Sequence, residues 1–187
     1  MLNSSALKVR LAGTGGQGII KASIILATAV VLDGRRVVQS QSYGPEARGG
    51  SCKADVIVSD EDILYPRIDR PNVLLCLSEA ACAKYLPGIA DDAVVILNES
   101  LSSATNSGAS RAYKVPITTI AREKLGAEIT SNIVALGVIV GITSMVSEDS
   151  IYEAVKNSIP PKVQALNLKA LAMGLDEGKL IAQSYRA

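Results

Sequence analysis

The chain has 187 residues, 48% of them hydrophobic, and a formal net charge of +1; that length can bury a sizeable core, and no basic excess points to nucleic acid. Histidine, tryptophan and phenylalanine are absent. Their absence excludes a Ser-His-Asp or Cys-His mechanism within this chain and removes most aromatic platforms for stacking bases.

The opening MLNSSALKVRLAG carries no long apolar run, so it does not read as a signal peptide. Residues 7–12 read as a short strand, followed by a glycine cluster and an apolar stretch, Ile19–Leu32, long enough for a helix. Asp33-Gly34 ends that helix, and Arg36–Ser42 is the next strand. A polar loop, YGPEARGG at 43–50, leads into a strand over Ser51–Ser59. The runs Asn72–Leu77 and Ala93–Leu97 are continuously apolar, as strands covered on both faces are in a parallel sheet. Ser78 starts a helix that Pro87-Gly88 stops, and Ser100–Arg111 reads as a surface loop. Helices are expected over Ile117–Leu125, Ser131–Met145, Glu148–Ser158 and Pro161–Ala182. Ile19–Leu32 and Ile133–Val146 read as buried helices of a soluble protein, not membrane spans. With no repeat or linker, residues 1–187 are expected to form one domain, a three-layer α/β/α Rossmann-like fold with a mostly parallel sheet and a helical C-terminal part.

Cys52, Cys76 and Cys82 have neither CxxC nor ferredoxin spacing. Each reads as a small buried hydrophobe, and their unpaired count suits the cytoplasm. No metal ligand set is expected in this chain.

Two motifs carry the candidate chemistry. Gly13-Thr14-Gly15-Gly16-Gln17-Gly18 joins the first strand to the first helix. Glycines allow positive φ and close approach, and the helix end offers free N–H groups, so Gly13, Gly15, Gly16, Gln17 and Gly18 are candidates for anion or cofactor contact. The alternative is a turn that only packs helix against strand. The dinucleotide fingerprint also needs an acidic residue at the end of the second strand; VVQSQS supplies none, which argues against NAD. The second motif, Gln39–Gly50, leaves the carboxyl end of a strand, the rim where α/β sheets bind ligands. There Arg48, flanked by glycines, could meet a phosphate or carboxylate, or only pair with Glu46 at the surface.

GTGGQGI, with QSQSYGPEARGGSCKADVIVSDEDILYP, SNIVALG and KVQALNLKALAMG, resembles the gamma subunit of 2-oxoacid:ferredoxin oxidoreductases over nearly the whole chain. QSYGPEARGG is more similar to the 2-oxoglutarate and branched-chain 2-oxoacid types than to the pyruvate type. The resemblance implies a thiamine diphosphate-dependent complex that decarboxylates a 2-oxo acid, makes an acyl-CoA and passes electrons to ferredoxin. It implies that this subunit supports assembly and CoA binding without being catalytic alone. Thiamine diphosphate, magnesium and iron–sulfur clusters are then expected on alpha and beta partners, with a delta subunit as a further candidate, while this chain offers CoA a surface site. The segment matching Tyr43–Gly50 is part of the implied CoA site, with Tyr43, Arg48 and Gly49 as its candidates. Pro45, Glu46 and Ala47 stand where some pyruvate-type relatives carry lysines, which leaves Arg48 as the main cation. Branched-chain, pyruvate and indolepyruvate complexes are alternatives within the class; a stand-alone nucleotide-binding reductase and a pure assembly scaffold are alternatives outside it.

Overall fold

A computed structural model describes residues 6–42, 50–101 and 111–184. The order is β1 (Ala6–Thr14), α1 (Ile19–Leu32), β2 (Arg36–Gln41), β3 (Ser51–Ser59), β4 (Val73–Cys76), α2 (Glu79–Tyr85), β5 (Val94–Asn98), β6 (Arg111–Val115), α3 (Ile117–Thr119), α4 (Ser131–Thr143), α5 (Glu148–Ser158) and α6 (Pro161–Ser184). Among these residues, six strands form one sheet in the order β2-β3-β1-β4-β5-β6. The pairs β1–β4, β4–β5 and β5–β6 are parallel, while β3 runs antiparallel to both of its neighbours. β2 therefore points the same way as β1, and the sheet is mostly parallel, as expected. β4 and β5 are buried at every position, which is why both read as unbroken apolar runs.

Helices cover both faces unequally. One face carries α1 and α3–α6 over Val9, Leu11, Val56, Leu75 and Ile96. The other carries α2 over Ala12, Leu74, Cys76 and Leu97. β1 thus leads through α1 to one side of the sheet and β4 through α2 to the other, so the β1/β4 junction is the point where the strand order reverses.

Several local expectations hold for the expected reason. Ser78 caps α2, its hydroxyl accepting from Ala81 N at 3.4 Å. Ile151, Val155 and Ile159 form the buried side of α5, and Ser147, which the sequence reading did not single out, caps it as Ser78 caps α2. Gly34 takes φ +73 after α1.

Others need correction. The expected helix over Ile117–Leu125 is a short α3 that widens into a π-type turn at Ile120–Lys124, where Leu125 N donates to Ile120 O at 3.2 Å. α4 stops at Thr143 because Ser144 turns left-handed, φ 51. Arg111 opens β6, an edge strand that the sequence reading did not foresee, and residues 102–110 of the expected loop lie outside the described residues. α4 is buried on all sides from Asn132 to Gly141, but α1 is not: Ile24 and Val31 are 46% and 60% exposed. No helix among the described residues is long and apolar enough to cross a membrane.

α4 is central because α6 lies directly against it. A Cβ on Gly137 would stand 2.5 Å from Leu171 O, and one on Gly141 would stand 2.5 Å from Leu175 O. Gly178 meets Val138 O at 2.5 Å in the same sense, and Gly174 abuts the Val134 carbonyl. Contacts advance together along both helices, so α4 and α6 run parallel, backbone on backbone.

Candidate functional site

The glycine loop sits at the reversal point, at the carboxyl end of β1 and beside that of β4. Gly16 and Gly18 take φ +92 and +70, which only glycine adopts without strain. Gly18 is the N-cap of α1; its carbonyl accepts from Ala22 N at 3.0 Å and from Asn132 Nδ2 at 3.3 Å. Gln17 turns back into the loop: its Oε1 accepts from Thr14 N at 2.8 Å and its Nε2 donates to Leu77 O at 3.2 Å. One side chain thereby ties the end of β1 to the residue after β4.

These contacts divide the glycines by role. A Cβ on Gly13 would stand 2.5 Å from Gln17 Oε1, and one on Gly18 would stand 2.5 Å from Asn132 Nδ2. Both positions are glycine because protein side chains fill the space. Gly15 and Gly16 are exposed, and nothing lies within 4 Å of a Cβ on Gly16. Gly16 therefore faces open space, and Gly15 beside it is exposed.

Gly16, Gln17, Leu77, Thr118, Glu128 and Ser131 line a cleft of about 300 Å3 along this rim. Ile129, 86% exposed, stands at its edge. Thr118 is positioned from β5: Asn98, 2% exposed, accepts from Thr118 N at 3.1 Å and donates to its Oγ1 at 2.9 Å. None of the lining residues is a cation, and Glu128 adds a negative charge. Among the described residues an anion here would meet only neutral donors, the backbone N–H groups and the Thr118 and Ser131 hydroxyls. The sequence reading missed Asn132, Thr118 and Glu128. Asn132 lay within the quoted SNIVALG, but only the fold brings it to Gly18.

Tyr43, Arg48 and Gly49 lie outside the described residues. The strands that flank them are described. Ser42 N donates to Lys53 O at 3.2 Å, and Thr14 pairs with Ser51. Ser42 and Ser51, described residues on either side of them, therefore stand on the rim that carries the glycine loop.

All three cysteines are buried and reduced. A hydrogen bond with Cys82, then burial, pushes the Cys76 thiol far up, and burial raises Cys52. None is poised as a thiolate nucleophile. Among the described residues, no group of His, Cys, Asp or Glu is placed to hold a metal ion.

A three-layer α/β sheet with its glycine turn at the strand-reversal point defines a Rossmann-like protein, a class of fold in which ligands bind outside the strand carboxyl ends. Residues 8–177 match the pyruvate ferredoxin/flavodoxin oxidoreductase family, and the chain belongs to that family as a gamma-type subunit of an oxidoreductase complex. It is 42% identical over 175 residues to the 2-oxoglutarate synthase subunit KorC of Methanocaldococcus jannaschii, covering 92% of this chain and 94% of that one. It is 35% identical to the ketoisovalerate oxidoreductase subunit VorA of Methanothermobacter thermautotrophicus, across 91% of this chain but 36% of that longer one. The solved keto/oxoacid ferredoxin oxidoreductase gamma subunit of Geobacter sulfurreducens superposes with a TM-score of 0.87 at 35% identity, over 95% of this chain and 99% of that one. The 2-oxoglutarate:ferredoxin oxidoreductase of Magnetococcus marinus, solved with 2-oxoglutarate, coenzyme A and succinyl-CoA, shares the fold: TM-score 0.83, 23% identity, 97% of this chain and 32% of that one.

Proposed function

We propose that the chain is the gamma subunit of a cytoplasmic, thiamine diphosphate-dependent 2-oxoglutarate:ferredoxin oxidoreductase, and that its strand-carboxyl rim contributes to the CoA site. The near end-to-end match to a 2-oxoglutarate synthase subunit at 42% identity carries the reading. Thiamine diphosphate, magnesium, the iron–sulfur clusters and the ferredoxin contact fall to alpha and beta partners, with delta as a further candidate. The complex would convert 2-oxoglutarate and CoA to succinyl-CoA and carbon dioxide, passing two electrons to ferredoxin. On this chain, Gly15 and Gly16 give a ligand or partner backbone access, and Arg48 supplies a phosphate-binding fork.

The test is reconstitution. The chain is co-expressed with the products of neighbouring genes, and ferredoxin reduction is compared for 2-oxoglutarate, pyruvate and 3-methyl-2-oxobutanoate. The expected result is CoA-dependent turnover that prefers 2-oxoglutarate and is absent from the chain alone. A preference for either other acid overturns the substrate assignment, and turnover by the isolated chain overturns the division of labour. Arg48→Ala should raise the CoA KM while leaving assembly and the 2-oxo acid KM unchanged.

One observation favours a second reading, an assembly scaffold without ligand contact: Gln17 and Asn132 already fill two of the glycine positions, and the adjoining cleft has no cation among its described lining residues. Under that reading Gly16→Ala weakens subunit association and leaves the CoA KM unchanged. Under the leading reading the CoA KM rises in the intact complex.

A further inference from the structure

The sheet face opposite α1 carries polar and charged residues where an apolar layer is the norm. The β1–β3–β2 register puts Arg10, Asp55 and Ser40 in one row. The next row holds Ala12, Lys53 and Ser42, with Ser42 N donating to Lys53 O. Residues 67–69 pass over these rows, and between them lies a cleft of about 310 Å3 lined by Ser40, Ser42, Lys53, Asp55, Arg67 and Asp69.

The charges in this cleft are not equivalent. Arg10 and Asp55 are 6% and 7% exposed. Arg10 donates from Nε to Asp55 Oδ1 and from Nη2 to Oδ2, each at 2.8 Å, and from Nη2 to Ile68 O at 2.9 Å. Its guanidinium lies 5.6 Å from the Tyr85 ring centroid. Asp55 is thus neutralised from below. Lys53 Nζ reaches Asp55 Oδ2 only at 3.3 Å, with its side chain 31% exposed and its ammonium 5.9 Å from the same ring. An ammonium has three donors, so this contact leaves others for the cleft. Arg67 is exposed and forms no ion pair among the described residues. Among the described residues Asp69 offsets one of the two cations, so the cleft keeps a net positive charge, with two hydroxyls beside it. The glycine-loop cleft also has two hydroxyls, from Thr118 and Ser131, but no cation among its described lining residues.

A buried ion pair contributes little net stability against an apolar replacement. Here it has a positional effect: a carboxylate that cannot move holds the Lys53 ammonium at the cleft mouth. We propose that this cleft binds a phosphate group, held by Lys53 Nζ, the Arg67 guanidinium and the Ser40 and Ser42 hydroxyls. Its source rests on the functional reading above, under which the phosphate-bearing ligand is CoA; the site chemistry does not.

The experiment uses the full chain, 15N-labelled and titrated separately with inorganic phosphate, CoA and 3′-dephospho-CoA, following the Ser40, Ser42 and Lys53 amides by NMR. Those amides are expected to shift with phosphate and with CoA. Affinity should fall about tenfold or more in both Lys53→Met and Arg67→Ala, as for loss of a charge-assisted hydrogen bond. Arg67 is exposed, so Arg67→Ala remains informative if Lys53→Met, which also loses its contacts with Asp55 and Tyr85, fails to fold. Weaker binding of 3′-dephospho-CoA than of CoA identifies the 3′-phosphate as the bound group, and equal binding identifies the pyrophosphate; both support the site. A response to inorganic phosphate with none to CoA supports a phosphate site and removes CoA as its source. Unmoved amides, or shifts indifferent to the variants, overturn the proposal. The titration needs neither partner subunits nor turnover, so its failure is separable from failure of the reconstitution.

Discussion

Replacing Gly137 by alanine separates what local propensity favours from what the tertiary structure allows. Gly137 is a mid-helix glycine in α4, and on propensity alone Gly137→Ala should stabilise the helix by about 1 kcal/mol. The added Cβ, however, would stand 2.5 Å from Leu171 O, 2.7 Å from Leu175 N and 2.9 Å from Gly174 C, where ordinary contact begins at 3.4 Å. All three atoms are α6 backbone, so no side chain can swing away, and the helices must part by about 1 Å. A gap of about 0.5–1 Å forfeits a quarter to a half of each dispersion contact it opens, and overpacking of this kind costs about 1–3 kcal/mol, sometimes more. Because the clash is backbone against backbone, the upper end applies, and the net expectation is a loss of about 2 kcal/mol. For a chain of this size that lowers Tm by about 4–8 °C. The assay is thermal and urea unfolding followed by circular dichroism, with Gly88→Ala as control, since nothing lies within 4 Å of a Cβ there. A Gly137→Ala protein as stable as the parent, or more so, would refute the backbone-contact account of α4 and α6.

Three further outcomes follow from named contacts. Gly18→Ala should cost about 1 kcal/mol or more, because φ +70 strains alanine and its Cβ meets Asn132; adding Asn132→Ala should relieve the clash but not the strain, so only partial recovery of Tm is expected. Arg10→Met removes the bidentate partner of the buried Asp55 carboxylate, leaving it only Lys53 at 3.3 Å, and should cost about 3 kcal/mol in urea unfolding, while Arg10→Met with Asp55→Leu should recover most of it; a single variant within about 0.5 kcal/mol of the parent would show that the Arg10 pairing adds nothing to stability. Burial pushes the Asp33 carboxyl up, but hydrogen bonds from Ser150 and Ser147 and the nearby Arg35 charge outweigh it, so its pKa stands below the ordinary 3.8. The native state then gains stability from Asp33 above that value and loses it as pH falls through the lowered one. Asp33→Asn should accordingly flatten the stability profile below about pH 4, and an unchanged acid limb would remove Asp33 from the account.

The sequence by itself determined most of the elements and the class of the protein. Runs such as NVLLCL and AVVIL specify buried strands because a strand covered on both faces has no polar side to show. Ser78, Ser147 and Pro161 start helices through bonds or dihedrals within a turn of themselves. GTGGQG announced a turn between strand and helix for the same local reason. Tertiary structure decided what depends on distance in the chain. The five residues of RAYKV at β6 become a strand only because Val94–Asn98 offers them an edge. Which glycines of the loop are open is decided by Gln17 folding back and by Asn132, more than a hundred residues away, filling the space beside Gly18. α1 and α4 are both largely apolar, yet α6 covers α4 while one side of α1 stays exposed, and in the sequence only Lys21 and Thr28 mark that side among the apolar Ile24 and Val31. Lys53 lay in plain view in GGSCKADV, but that it shares a face with Ser42, Asp55 and Arg10 follows from the pairing of β2, β3 and β1. Dihedral preference, capping and side-chain alternation act within a few residues and can be read along the chain, whereas strand register, backbone-to-backbone approach and burial of charge arise only when distant segments meet.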